Sequence, residues 1–300
     1  MRIAITGSTG LVGSALSKHL AARGHEIVPV VRSEPRTGEI GWSPSEGRLD
    51  AADLVGIDAV VHLASAGIGD RRWSEEYKQV LLDSRVDSTN LLASRLAELG
   101  EDGPRVLLSG SAIGVYGDRG DEVLDETSPN GEGFLAEVCH RWEAATAPAE
   151  EAGVRVAHLR TGIVLTPEGG ALTRFGWLTI FKLGGGGRFG SGAQWWSWIS
   201  MTDEVRAIEH LLRTDVSGPV NLTAPGPVRN AEFARTLGQV LKRPAILPVP
   251  AFVPKLLLGA ELTNAVLFNS QRVHPAVLEG DGFAFEHPDL TTALRAELGR

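Results

Sequence analysis

The chain has 300 residues, 29 Lys plus Arg against 37 Asp plus Glu (net charge −8), 43% hydrophobic residues and a single Cys. This is a globular composition with enough chain for a sizeable core; it excludes an internal disulfide framework and a cysteine-rich metal site, no metal is expected, and the acidic balance argues against a nucleic-acid partner. No apolar run approaches the roughly 18–20 residues that span a bilayer, and the N-terminus reads directly as a strand, so a cytoplasmic protein without membrane contact is expected.

In chain order, Arg2–Thr6 is a short apolar run that predicts a strand. Leu11–Ala22 has helical periodicity and is stopped by Gly24, and Glu26–Val31 is a second strand. Further strands are predicted at Ala59–Leu63, Arg105–Leu108 and Val154–Leu159, alternating with helical stretches at Trp73–Leu99 and Glu132–Ala152. Near-continuous Val/Ile/Leu runs between helices are what a parallel sheet covered on both faces requires, and right-handed crossovers make it doubly wound. After about residue 165 the texture changes. Thr166–Gly192 is rich in Gly and aromatics, including the run Gly184–Gly187. A helix is expected over Thr202–Arg213, a strand over Pro219–Leu222, and helices over Asn230–Leu241 and Asp289–Leu298. The expected architecture is α/β: a doubly wound sheet over 1–165, joined again by about 200–224, with a smaller C-terminal α+β substrate lobe over 166–300.

The strongest motif is the loop from Thr6 through Gly7, Ser8, Thr9, Gly10, Leu11 and Val12 to Gly13, which follows a strand and opens a helix. Gly7 permits the tight turn, Gly10 lets backbone approach a pyrophosphate, and Gly13 lets helix and strand pack closely. The helix start offers unpaired N–H groups and a positive dipole end to the anion. After the second strand, where an acidic side chain would hold the ribose hydroxyl of NAD, stands Arg32. A guanidinium there suits a 2′-phosphate, so NADPH is expected over NADH. Glu34 is the competing sign.

The glycine loop, the run Asp58-Ala59-Val60-Val61-His62-Leu63-Ala64, and Ser111-Ala112-Ile113-Gly114-Val115-Tyr116-Gly117 resemble the extended short-chain dehydrogenase/reductases, NAD(P)-dependent Rossmann-fold epimerases, dehydratases and reductases. Arg72-Trp73, Ser84-Arg85, Gly190-Ser191-Gly192, Trp198-Ile199 and Ser270-Gln271-Arg272-Val273 are similar to an atypical epimerase-like subfamily carrying a small C-terminal domain of unknown function. The resemblance covers nearly the whole chain. It implies that Leu63 and Ala64 line the adenosine half of the cofactor, that Arg85 touches it from the long helix, and that Gly162 and Ile163 flank the nicotinamide.

The resemblance also exposes a gap. The superfamily takes its proton from a Tyr in YxxxK, whose Lys lowers the phenol pKa. Aligning Glu143 with the family's helix glutamate puts the Tyr position at Phe134 or Leu135 and the Lys position at Val138 or Cys139. The chain has only two tyrosines, Tyr77 and Tyr116, and neither begins such a motif. The replacements open to the chain are Ser111, which can polarise a carbonyl, and Tyr116, if it faces the nicotinamide; Ser109, Cys139 and His140 lie nearby.

In the second lobe, three of the seven tryptophans fall within Trp195–Trp198, beside the Gly run. Trp195 and Trp196 are expected as a flat wall for a ring or sugar, with Arg188 supplying a polar contact. Related epimerases place a C-lobe Arg on a nucleotide pyrophosphate, which implies that role for Arg272. The expected function is an NADP(H)-dependent oxidoreductase or epimerase-like enzyme acting on a small-molecule carbonyl or sugar-like substrate between the lobes. A non-catalytic NADP(H) sensor is the rival. Homodimerisation through the two long helical stretches is compatible with both.

Overall fold

The computed structural model describes residues 1–173, 177–183, 185–245 and 247–300. In chain order its elements are β1 (Arg2–Thr6), α1 (Leu11–Ala22), β2 (Glu26–Val31), β3 (Ile40–Ser43), β4 (Arg48–Leu49), β5 (Ala59–His62), α2 (Glu75–Leu99), β6 (Val106–Ala112), β7 (Val123–Leu124), α3 (Phe134–Ala144), α4 (Ala147–Glu151), β8 (Arg155–Thr161) and β9 (Ile163–Leu165). There follow α5 (Gly170–Thr173), α6 (Trp177–Lys182), β10 (Trp195–Trp196), β11 (Trp198–Ser200), α7 (Met201–Arg213), β12 (Gly218–Leu222), β13 (Val228–Arg229), α8 (Asn230–Leu241), α9 (Phe252–Leu258), α10 (Ala260–Thr263), β14 (Arg272–Val273), α11 (Ala276–Gly280) and α12 (Leu290–Leu298). They group into two compact units: Met1–Ser111 with Glu137–Leu159 and Val205–Val220, and Ala112–Ala136 with Arg160–Glu204 and Asn221–Arg300.

The first unit is built on a sheet of order β12-β8-β6-β5-β1-β2-β3-β4, with β1 paired in parallel to both β2 and β5. The chain runs from β1 outward through β2 and β3, then returns to the other side of β1 at β5. The loops leaving β1 and β5 therefore sit at the point where strand order reverses, which is where ligands bind in open α/β sheets. Ile3, Ala4, Ile5, Val60 and Val61 are fully buried, as strands covered on both faces require. Ser74 caps α2 by accepting from the Tyr77 amide at 3.2 Å, with Glu75 and Glu76 in the first turn.

The structure departs from the sequence reading in three places here. The hairpin β3–β4 extends the sheet, although only Ile40, Trp42 and Leu49 carry its apolar pattern. Strand β6 runs on to Ala112, through Ser109, Gly110 and Ser111. The stretch read as one helix over Glu132–Ala152 is two, because Pro148 stands in the first turn of α4 and has no N–H with which to continue α3.

The second unit contains three two-stranded ladders, β9 with β11, β10 with β13 and β7 with β14. Its core holds Phe181, Phe189, Trp196, Trp198 and Phe233, with Leu290, Ala293 and Leu294 of α12. The glycine run has a packing reason at Gly187: a Cβ there would lie 1.7 Å from the Leu247 carbonyl oxygen. The segment runs against 247–249, with the Val249 amide donating to the Arg188 carbonyl at 2.8 Å. Gly184 lies outside the described residues.

Candidate functional site

The loop after β1 is a cradle that side chains would fill. Gly7 is in the left-handed region at φ 67°, and a Cβ on it would meet the Ala64 amide nitrogen and the Leu63 carbonyl carbon at 2.9 Å. A Cβ on Gly13 would lie 2.1 Å from the Gly7 carbonyl oxygen. The cap of α1 is Gly10, which has no side chain to satisfy the first amides, and its first turn holds no acid. Thr9 and Gly10 are exposed, with Leu11 and Val12 half-buried behind them. An uncapped helix start with backbone this accessible fits a phosphate group.

A buried hydrogen-bond chain fixes the cradle from below. The Thr6 hydroxyl accepts from the Leu63 and Ala64 amides at 3.0 and 3.1 Å, so its own proton goes to His62 Nδ1 at 2.7 Å. His62 then carries its hydrogen on Nε2, which donates to Thr89 at 3.0 Å. Thr89 also accepts from the Trp142 indole at 2.9 Å. Burial holds the His62 imidazole down at about 4, so the ring is neutral at ordinary pH.

Two arginines of this unit are short of anions. Arg85 is 6% exposed; it donates to the Leu81 carbonyl at 2.9 Å and lies over the Trp142 ring at 5.0 Å. Among the described residues no carboxylate pairs with it, and desolvation lowers its pKa. Arg32, just past β2, is exposed and has no hydrogen-bond or ion-pair partner among the described residues.

At the end of β6 the Ser111 hydroxyl donates to Glu143 Oε1 at 2.6 Å. Ser111 is buried and Glu143, on α3, is half-buried. In the sequence Glu143 serves only to align α3 with the family's helix. The signal for it was present, since Cys139 and Glu143 are four apart on one helix face and Cys139 stands at a candidate Lys position. Val138 and Cys139 are buried, His140 is exposed, and the buried Ser109 hydroxyl has no hydrogen-bond partner.

In the second unit, Tyr116 is fully buried. Its hydroxyl donates to Asn221 Oδ1 at 2.8 Å and accepts from Arg160 at 3.0 Å, with the guanidinium 5.2 Å from the ring centroid. Burial pushes the phenol pKa up, against the pull of Arg160. Asn221 ties this group to Glu126, whose Oε1 accepts its amide at 2.9 Å. Gly162 and Ile163 are half-buried, and their amides donate to the Leu222 and Ser197 carbonyls. Close by in the chain, Thr161 donates to the buried Glu204 at 2.9 Å, and desolvation pushes that carboxyl up to about 8. Glu204 stands in the first turn of α7, where an acid is an ordinary helix-start residue, and nothing local in the sequence betrays its burial.

The tryptophans divide. Trp196 is 3% exposed and sits in the core against Phe189 and Phe233, so it forms interior rather than wall. Trp195 is half-buried between two guanidiniums, Arg229 at 4.7 Å and Arg272 at 4.5 Å from its ring. Its indole donates to Asp121, which also pairs with Arg229. Arg188 is exposed and belongs to a separate cavity beside α8. Among the described residues no cluster could hold a metal ion, and no helix is long and apolar enough to cross a membrane.

Comparison with known proteins places the chain in a family. The NAD dependent epimerase/dehydratase family matches residues 3–223, and a domain of unknown function, DUF1731, matches residues 249–297. Epimerase family protein Mb2239 of Mycobacterium bovis is 43% identical over 294 residues, covering 97% of this chain and 96% of that protein. The crystal structure of human epimerase family protein SDR39U1 (isoform 2) with NADPH is 34% identical, with a TM-score of 0.91 over all of both chains. That of a nucleoside-diphosphate sugar epimerase from Corynebacterium glutamicum is 38% identical, with a TM-score of 0.80 over all of this chain and 58% of that one. With its Rossmann-like sheet, its glycine loop at the strand-order reversal and a family match over most of its length, the chain belongs to the NAD dependent epimerase/dehydratase family.

Proposed function

We propose that the chain binds NADP(H) on its first unit and uses it for oxidoreductase or epimerase chemistry on a small carbonyl or sugar-like substrate, with Ser111 and Glu143 as the acid–base pair and the second unit supplying substrate contacts. The observation that carries the reading is the glycine cradle at the strand-order reversal, with an exposed Arg32, partnerless among the described residues, just past the neighbouring strand. The human relative crystallised with NADPH supports the choice of dinucleotide.

A nicotinamide dinucleotide bound there supplies hydride transfer. Leu11, Val12 and Gly13 would offer backbone N–H groups to its pyrophosphate, Gly7 and Gly10 keep side chains out of its path, with the Gly10 amide held by the Gly7 carbonyl at 2.9 Å, and Thr9 stands at the exposed rim. Leu63 and Ala64 form the wall beside Gly7, and Arg85, backed by Trp142, offers its remaining N–H groups to the anion. Arg32 takes the 2′-phosphate. Gly162 and Ile163 are assigned to the nicotinamide side.

The proton moves through this chain's own atoms. In the oxidising direction Ser111 Oγ accepts the substrate hydroxyl proton as its own proton passes to the Glu143 carboxylate. In the reducing direction the protonated Glu143 returns it through Ser111 to the nascent alkoxide. Such a positioned pair contributes roughly 10²–10⁴-fold in rate. Tyr116, held by Asn221 and Arg160, has an architectural role in this scheme, as does Trp196.

The test is NADPH oxidation against a panel of carbonyl compounds. Ser111→Ala and Glu143→Gln should each lower kcat by roughly 10²–10⁴-fold while leaving NADPH affinity within about twofold. Turnover that survives both substitutions sinks the assignment. Tight NADPH binding with no turnover on any member of the panel favours the sensor reading.

A further inference from the structure

A second concentration of unneutralised charge lies in the second unit, at the C-terminal end of α8. A cavity of about 530 Å³ is lined there by Arg188, Arg235, Gln239, Lys242, Arg243 and neighbouring small residues. Four of its lining side chains are cationic and none is acidic, in a chain whose net charge is −8. Among the described residues none of the four has a carboxylate partner, and the side-chain hydrogen bond they do make runs from Arg243 Nε to the Lys182 carbonyl at 2.9 Å.

The end of α8 is shaped to hold these groups. The Lys242 amide donates to the Gln239 carbonyl and the Arg243 amide to the Gly238 carbonyl, the paired bonds of a helix terminus with a left-handed residue after its last turn. That residue is Lys242, at φ 53°, the one non-glycine with positive φ among the described residues. Glycine is the usual occupant; here a lysine in a strained conformation is among the residues that line the cavity. At Gly238 a Cβ would lie 2.7 Å from the Ala245 side chain and 2.8 Å from the Arg243 carbonyl oxygen, so the turn carrying Arg243 lies flush on the helix.

A helix dipole alone favours cations in the last turn. It does not account for Arg188, which comes from a different segment, nor for the concave shape. Cations crowded around a cavity repel one another until an anion enters, and guanidinium and ammonium groups together bind phosphoryl oxygens well. The volume is in the range of small-molecule sites, leaving room for an organic part.

We infer that this cavity binds a small, multiply charged phosphoryl anion, free or as an ester, at a site separate from the glycine cradle. The test is calorimetric titration of inorganic pyrophosphate, and separately of glucose 6-phosphate, into the full chain with and without saturating NADPH at low ionic strength. One anion per chain is expected, unaffected by NADPH. The double substitution Arg235→Ala with Lys242→Gly, which keeps the left-handed turn, should weaken it about tenfold or more with an unchanged melting temperature. Tighter binding of pyrophosphate identifies a free anion, and tighter binding of the sugar phosphate identifies an ester. Undiminished affinity in the double variant, or displacement by NADPH, overturns the proposal. So does duplex DNA binding more tightly than either small anion. If NADPH does not bind at all, the double variant still decides, because Arg235 and Lys242 line this cavity and belong to no part of the glycine cradle.

Discussion

Glu204 is buried as a carboxyl whose pKa is lifted from 4.5 to about 8 by loss of water, with Thr161 its hydrogen-bond partner. Between those values the folded chain keeps a proton that the unfolded chain has released, so this group's contribution to stability falls as pH rises from about 4.5 to about 8. Glu204→Gln should remove that slope. The variant gains relative to the parent by a few kcal/mol between pH 5 and pH 8, read from urea unfolding at both. An identical difference at the two pH values would show that the carboxyl is ionised throughout. His62 works in the opposite sense: with its pKa lowered from 6.5 to about 4, its contribution is present above 6.5 and lost as pH falls toward 4. The pairing of Ser111 with Glu143 has its own signature. Glu143→Gln keeps a hydrogen-bond acceptor for the Ser111 hydroxyl but cannot take a proton, so it should abolish turnover as fully as Ser111→Ala, and the double variant should cost little more than either single one.

At the scale of elements, the glycine cradle is the most sensitive part. Gly13→Ala places a methyl 2.1 Å from the Gly7 carbonyl oxygen, a clash with backbone that α1 must relieve by shifting. Thermal or urea unfolding should register a loss of about 1–3 kcal/mol, and NADPH affinity should drop at least tenfold. An unchanged affinity would mean the cradle does not hold the dinucleotide. This loop was legible in the sequence because strand, turn and helix start are contiguous and each glycine answers a local need. Strands β1 and β5 were legible as well, since both of their faces are buried and demand apolar residues, and β2 through its run of Val and Ile. The hairpin β3–β4 was hidden, because its few apolar residues alternate inside a turn-rich stretch. The last residues of β6 were hidden too, as Ser109, Gly110 and Ser111 carry little strand propensity. The break between α3 and α4 was written in Pro148 and masked by the helical periodicity around it. Ser111 and Glu143 are 32 positions apart, so their contact depends on how α3 packs rather than on any motif. The same holds for Tyr116 and Asn221, separated by 105 positions, and for the interior placement of Trp196.

For the whole molecule, the charge total conceals its distribution. A net −8 coexists with four cations around one cavity and, among the described residues, an exposed Arg32 without a partner and a buried Arg85 without a carboxylate. Each of these is a place where an anionic ligand would find charge already prepared. The family relationship accounts for the sheet and the cradle, while the sequence lacks the YxxxK from which the superfamily takes its proton. This epimerase-family chain carries, in Arg32 past β2, a guanidinium suited to the phosphorylated dinucleotide. The most direct measurement is calorimetric titration of the intact protein with NADPH and with NADH, repeated with Arg32→Ala. The account predicts NADPH binding tighter than NADH by about tenfold or more, with the difference largely erased in the variant. Equal affinity for the two in the parent chain, or a preference for NADPH that survives the loss of Arg32, would contradict it.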